Sequence, residues 1–303
     1  MSITSSIRNV LSRIFMSRIL FNWTDPNILI KKRKEKEEVR KKEGRPHEVF
    51  YFHELSDPYS HITSQLISKF SGNYDVDLVP LIVGNPPIST IHEPDLYRKY
   101  CLIDAIRIAP FYGIEFPNND QPNNKLVLLA QRILCSLDKK EFISQVSDIN
   151  THLWSNNEEA LRALINNKTH SHEEILSVIS NNDKKRNEVQ AYMGSTFSYE
   201  GELYWGVDRL DYLEDRLKDL GLKKNLETAY VSDRKIKKEV NIPKTSNLKL
   251  EFYPSLNSPY TAASFERIKE LKEKYPIEIV TRPVLPMLMR NMTIPRFKAK
   301  YII

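Results

Sequence analysis

Between residues 48 and 220 apolar positions alternate between two periods, one short and dense, the other helical. Residues 48–53, EVFYFH, are rich in aromatic and β-forming side chains and predict a strand. A turn of Ser56, Asp57 and Pro58 follows. Ile62, Leu66, Ile67 and Phe70 then recur at helical spacing until Ser71, Gly72 and Asn73 end the helix. Residues 76–83 form a second apolar strand, closed by Gly84, Asn85, Pro86 and Pro87. Strand, helix and strand in that order predict a parallel pair with a right-handed crossover. Beyond it, helices are expected over 96–111, 124–136, 140–154, 158–166 and 173–180, separated by Asn, Pro and Gly. Strand signals return at 195–199 and 202–205, joined by Glu200 and Gly201 as a hairpin. An amphipathic helix at 208–220 stops at Gly221. This alternation belongs to the α/β class.

The pattern then restarts. FYFHELSDPYSHITSQLI at 50–67 matches EFYPSLNSPYTAASFERI at 251–268, with Tyr59 and Tyr260 separated by 201 residues. Each copy continues into an apolar strand, at 76–83 and at 277–285. A spacing of this size marks a duplicated domain rather than a short solenoid repeat. Four segments are expected: an arm at 1–47, a first domain at 48–222, a linker at 223–247 (its polar core at 225–247) and an incomplete second domain at 248–303. The second copy reaches Ile303 just after its second strand, before any counterpart of the helical stretch or the closing ββα, so coding is expected to continue past it. A βαβ piece alone buries little surface and is expected to pack on something else.

Composition narrows the class. With 303 residues, 41% hydrophobic and 28% charged, the chain can build a sizeable core and does not match disordered, collagen-like or disulfide-dense proteins. It has no apolar run long enough to predict a membrane-spanning helix. The net charge of +6 is unevenly placed: residues 1–47 hold 12 Lys/Arg against 5 Asp/Glu, and the remainder holds 33 against 34. A near-neutral body disfavours nucleic acid as a partner. Within the arm, Ile7, Val10, Leu11, Ile14, Phe15, Ile19 and Leu20 recur at helical spacing with Arg8, Arg13 and Arg18 among them, and a mixed-sign run follows at 31–42. Such a basic amphipathic helix can dock on its own protein, lie on an anionic membrane surface or touch nucleic acid. A secretory signal fits poorly, because the apolar residues are periodic instead of continuous. Cys101 and Cys135 form neither a CxxC pair nor a zinc site alone. Two lone cysteines fit a reducing compartment, so the expected location is cytoplasmic, with peripheral membrane contact through residues 1–45 left open.

Candidate chemistry gathers at the turns. A strand that feeds a helix through a tight turn points backbone N–H groups and the positive helix end at a ligand. A hydroxyl there can stabilise a bound thiolate, whereas a carboxylate caps the helix and repels one. The first turn carries Asp57 with Ser56 before it, and the second carries Ser258. Plain helix capping accounts for either turn taken alone. Asp208 and Arg209, after Trp205 and Gly206, can hold an ammonium and a carboxylate, or form only a cap and a surface ion pair. His53, His61, His92 and His152 lack metal-ligand spacing, and no metal is expected. Tyr59, Tyr260, Met287, Met289 and Met292 fit core packing better than ligand contact. No P-loop, GxSxG or GxGxxG motif occurs.

The first turn, the Gly84-Asn85-Pro86-Pro87 stretch, Asp104-x-x-Arg107 leading to Gly113-Ile114-Glu115-Phe116-Pro117, and above all GELYWGVDRLDYLE at 201–214 resemble 2-hydroxychromene-2-carboxylate isomerase. That family is similar to the kappa-class glutathione transferases, within the DsbA-like thioredoxin superfamily. The resemblance implies an α/β, thioredoxin-like fold with a helical insertion, followed by a partial second thioredoxin-like βαβ unit. It also implies a glutathione-dependent isomerase or transferase acting on a small-molecule substrate with glutathione as cofactor. A homodimer is the expected assembly. Carried over by position, the activating serine falls on Asp57, with Ser56 adjacent, and on Ser258 in the second copy. The family's asparagine by the active site falls on Asn85, its Asp-Arg pair at the γ-glutamyl end on Asp208 and Arg209, and its ligand-pairing loop on Ser195, Thr196 and Phe197. Asp57 departs from the expected serine and Ser195 from the expected cis-proline. A non-proline cis bond costs about 2.5–4 kcal/mol, so a shifted trans loop is expected. Without CxxC, thiol–disulfide exchange of the DsbA type is not expected. The competing reading is a non-catalytic thioredoxin-fold module held to a partner or a membrane by the arm.

Overall fold

The computed structural model describes residues 25–87, 90, 91, 93–118, 120–165, 169–234, 247–255, 258–286 and 289. The amphipathic helix expected at 7–20 lies outside the described residues, as do His92, Met287 and Met292.

The charged run expected at 31–42 is part of a helix, α1 (Pro26–Lys42). Asp25 caps it by accepting from the Asn27 N–H at 2.8 Å, and Arg40, Lys41 and Lys42 sit at its negative end. α1 has no apolar face to bury and is held by ions. Arg33 grips both Glu202 carboxylate oxygens, the shortest contact being 2.7 Å, and Arg45, just beyond the helix, pairs with Glu200 at 2.8 Å.

β1 (Glu48–His53) and β2 (Asp77–Ile82) run parallel, joined by the crossover helix α2 (Pro58–Asn73). Five helices come next: α3 (Pro94–Ile108), α4 (Asn124–Cys135), α5 (Lys139–Trp154), α6 (Glu158–Ala163) and α7 (His172–Glu188). They form the insertion between β2 and the hairpin of β3 (Thr196–Tyr199) and β4 (Glu202–Trp205). Glu200 and Gly201, both at positive φ, make the tight turn that the twist of a two-residue hairpin requires. The sheet order is β2-β1-β3-β4, with β3 antiparallel to both neighbours. This mixed sheet is the arrangement implied by the resemblance. A 3₁₀ turn (Val207–Arg209) leads into α8 (Leu210–Asp219). The core lies between the sheet and α2, α5 and α8, where Tyr51 stacks on Phe197 at 4.8 Å and Phe70, Tyr74, Val146, Leu153 and Leu213 are fully buried.

The expected linker begins later than 223. Lys223 bridges to Tyr74, and Val231 and Ser232 are buried with their N–H groups on the Glu214 carboxylate at 2.8 and 3.0 Å. The chain therefore stays on the first domain to at least residue 232.

The second unit consists of β5 (Lys249–Phe252), α9 (Pro259–Lys274) and β6 (Glu278–Thr281). It matches the first βαβ unit without a gap. Glu48 pairs with Asp77 as Lys249 does with Glu278, and the helices start at Pro58 and Pro259 and end at Asn73 and Lys274. The Ser60 hydroxyl accepts from the Glu54 N–H, as Thr261 accepts from Ser255. Packing differs sharply: α9 and the β5–β6 pair have no buried residue among those described, and Tyr260, Phe265 and Leu248 stand about half exposed.

Candidate acid–base site at the start of α2

β1 ends and turns into α2 through Glu54, Leu55, Ser56 and Asp57. Asp57 is the cap of α2. Its Oδ1 accepts from the Tyr59 N–H at 3.2 Å, and its Oδ2 accepts from the Ser60 N–H at 3.0 Å and the Ser60 hydroxyl at 2.8 Å. The first free N–H groups of the helix are thus taken by the side chain. Burial nevertheless pushes the Asp57 carboxyl above the ordinary range, because those donors offset only part of the desolvation.

Beside it lies a residue that sequence reasoning passed over. Glu54 is 8% exposed, and among the described residues the one hydrogen bond its carboxyl accepts comes from the Ser56 hydroxyl at 3.2 Å. Burial raises its pKa, the Asp57 charge raises it further, and the Arg186 charge works against both. An ionised Asp57 thus holds the proton on Glu54. The Ser56 hydroxyl also reaches Asn85 Oδ1 at 3.2 Å, so Ser56, Asp57 and Asn85 converge on one corner.

The Asn85 loop is fastened from α7. Buried Arg186 donates from Nη1 to the Gly84 carbonyl at 2.9 Å and pairs with Asp183 at 2.9 Å, while Asp183 accepts from the Gly84 N–H at 3.1 Å. Among the described residues the Arg186 Nε has no hydrogen-bond partner. Gly194 packs directly against the two carboxyl residues. A Cβ there would stand 2.7 Å from Glu54 Cβ and 3.0 Å from Asp57 Oδ2, so only glycine fits. On the α3 side, Cys101 hydrogen-bonds with Tyr97 and Tyr59, and burial lifts its thiol to about 11, which leaves it protonated at neutral pH.

A buried chain of polar groups runs back from Asp57. The Asn150 amide donates to the Val146 carbonyl at 2.9 Å and to His53 Nε2 at 3.0 Å, which assigns the ring proton to Nδ1. Nδ1 meets the Tyr51 hydroxyl at 2.9 Å, Tyr51 lies beside Ser60, and Ser60 donates to Asp57. Burial holds His53 down to about 3, so the ring is neutral.

Ser195 and Thr196 line the corner less directly. The described chain contains no cis peptide bond; Ser195 lies at φ 48, and its hydroxyl is bonded to Thr63 at 2.7 Å and to the Tyr59 carbonyl at 3.2 Å. Thr196 is paired with Phe52 on one side and Trp205 on the other. Asp208 and Arg209 sit farther along, on the 3₁₀ turn beside α2, with the Arg209 guanidinium 5.8 Å from the Tyr212 ring. Desolvation raises the Asp208 pKa, and Arg209 counteracts it. Tyr59 is T-shaped on Trp205 at 6.0 Å and donates its hydroxyl to Asp104 at 2.8 Å. Ser258 caps α9 in the second unit without a side-chain hydrogen bond, and no described hydrogen bond joins it to Ser56 or Asp57. Among the described residues no three His, Cys, Asp or Glu side chains are placed to hold a metal, and no helix is long and apolar enough to cross a membrane.

No family model matches this chain, and no curated protein matches it. Among solved structures, it is similar to a 2-hydroxychromene-2-carboxylate isomerase at 20% identity, over 57% of this chain and 96% of that one, with a TM-score of 0.38. It is also similar to a probable DsbA oxidoreductase from Streptomyces coelicolor at 11% identity, over 60% of this chain and 94% of that one, with a TM-score of 0.42.

Proposed function

We propose that this protein is an isomerase-type acid–base catalyst on a thioredoxin-like domain, in which Glu54 and Asp57 exchange a proton with a small organic substrate lodged against Ser56 and Asn85. The Glu54 carboxyl carries this reading. It is buried, caps nothing and, among the described residues, receives a single hydrogen bond, so it costs stability and the fold gives it no structural task. Glutathione fits this corner in part. Asp208 and Arg209 carry the charges that complement its γ-glutamyl end, whereas Asp57 and Glu54 exclude a thiolate where its sulfur would lie. Glutathione therefore enters this proposal as a neutral thiol, and the isomerisation is assigned to the carboxyl pair. The gap-free match of the two βαβ units supports their origin by duplication.

The test is turnover of 2-hydroxychromene-2-carboxylate by the full chain, followed in absorbance with and without glutathione. Asp57→Asn preserves a good cap and removes the ionisable group; it is expected to lower kcat about 10²-fold, with Ser258→Ala at the wild-type rate. Millimolar glutathione is expected to raise the melting temperature, and Arg209→Ala to abolish that rise. Full activity in Asp57→Asn contradicts the proposal. Glutathione protection without any turnover favours the non-catalytic module, whose own support is that Asp57 is fully engaged as a cap.

A further inference from the structure

The second βαβ unit has an open side that the first lacks. In the first unit the edge of β1 away from β2 is covered by β3, antiparallel, with Phe50 opposite Ser198 and Phe52 opposite Thr196. Among the described residues the corresponding edge of β5 has no strand beside it. The backbone hydrogen bonds show which groups that edge presents. The Glu278 N–H donates to the Leu248 carbonyl and the Arg282 N–H to the Phe252 carbonyl, so the even-numbered residues of β5 face β6. The N–H and C=O groups of Lys249 and Glu251 therefore point outward. An open, short edge of this kind is a template for pairing with another strand.

We propose that β5 pairs antiparallel with β5 of a second copy of this chain, centred on Leu250, to give a four-stranded sheet in the order β6-β5-β5-β6. Charge and register favour this occupant. With outward-facing residues opposed and the pair centred on Leu250, Lys249 of each copy stands opposite Glu251 of the other. Leu248 faces Phe252, and Leu250 faces itself. Moving the centre to Glu251 would oppose two glutamates, which is unfavourable. The pairing covers Leu248, now 50% exposed, and places both α9 helices on one face of the joined sheet. The other face carries Lys249, Glu251 and Tyr253 and stays in water. In the first unit the corresponding positions are Glu48, Phe50 and Phe52, the last of them fully buried.

Sedimentation equilibrium of the full chain tests this proposal. Wild type is expected at twice the 35.5 kDa chain mass. Glu251→Pro removes an outward N–H that the β5–β6 ladder does not use; it is expected to sediment as a monomer with an unchanged circular dichroism spectrum. Lys249→Glu is expected to weaken association about 10-fold or more, and the exchange Lys249→Glu with Glu251→Lys to restore it. The pairs these side chains make within the unit, Lys249 with Glu278 and Glu251 with Arg282, are exposed and contribute little to folding. A wild-type monomer at every concentration overturns the proposal. So does a dimer that Glu251→Pro leaves intact, because that places the interface elsewhere.

Discussion

Glu54→Gln is expected to make the protein more stable above neutral pH and to lower its turnover steeply. The stability effect follows from the sign of the shift. Burial and the Asp57 charge raise the Glu54 pKa in the folded state above its ordinary value of 4.5. Between those two values the folded chain binds more protons than the unfolded one, so stability is greatest below the unfolded value and falls as pH rises through the folded one. Glutamine fills the same volume without a group to ionise and removes that loss, a gain on the order of 1–3 kcal/mol at pH 8. The Ser56 hydroxyl keeps a carbonyl oxygen to donate to, so local packing is preserved. Turnover loses one member of the carboxyl pair and is expected to fall by about 10²–10⁴-fold. Melting curves from pH 5 to pH 9 together with kcat check both halves. A variant that is less stable than wild type at pH 8 would show that Glu54 has a structural task after all.

Glu214→Ala is expected to have the largest effect on stability. Glu214 is fully buried and joins three parts of the first domain. It accepts the Tyr74 hydroxyl at 2.9 Å from the end of α2, and the Val231 N–H at 2.8 Å and Ser232 N–H at 3.0 Å from the segment after α8. Alanine strands each of these donors away from water as well as leaving a cavity. The expected cost is about 3–5 kcal/mol. For a domain of this size that lowers the melting temperature by roughly 6–20 °C. Residues 223–232 are expected to lose hydrogen-exchange protection first. A loss below about 1 kcal/mol would mean that this segment is held by something other than Glu214.

The sequence made the sheet legible and left half the site obscure, for physical reasons. β1 and β4 have the expected bounds because dense aromatic runs end abruptly at turns. α7 runs from His172 to Glu188, well past the expected stop at 180, because its second half is polar and is fixed by Asp183 and Arg186 on the Gly84 loop. α1 gave no helical signal because its contacts are ionic, and hydrophobic periodicity cannot register them. Residues 223–232 read as the start of a polar linker, yet Val231 and Ser232 are drawn in by a single buried carboxylate. At the site, the turn points to Ser56 and Asp57 and the family resemblance to Asn85, and the Ser56 hydroxyl reaches Asn85 at 3.2 Å. Arg186 was invisible, because nothing local in the run NNDKKRNE separates a buried guanidinium from its solvated neighbours. Glu54 could have been noticed: a carboxyl three residues before a capping Asp, at the end of a buried strand, has little water to reach. Ser258 shares its position with Asp57 in the repeat but not its surroundings, since Ser255 stands where the first unit has Glu54.

A carbon-13 NMR titration of the side-chain carboxyls, with Glu54 and Asp57 assigned through Glu54→Gln and Asp57→Asn, tests the carboxyl site most directly. Both resonances are expected to titrate above the ordinary carboxyl range, and that of Glu54 is expected to move down toward it in Asp57→Asn. If both carboxyls are fully ionised by pH 5 and that of Glu54 does not respond to Asp57→Asn, there is no proton for this corner to transfer.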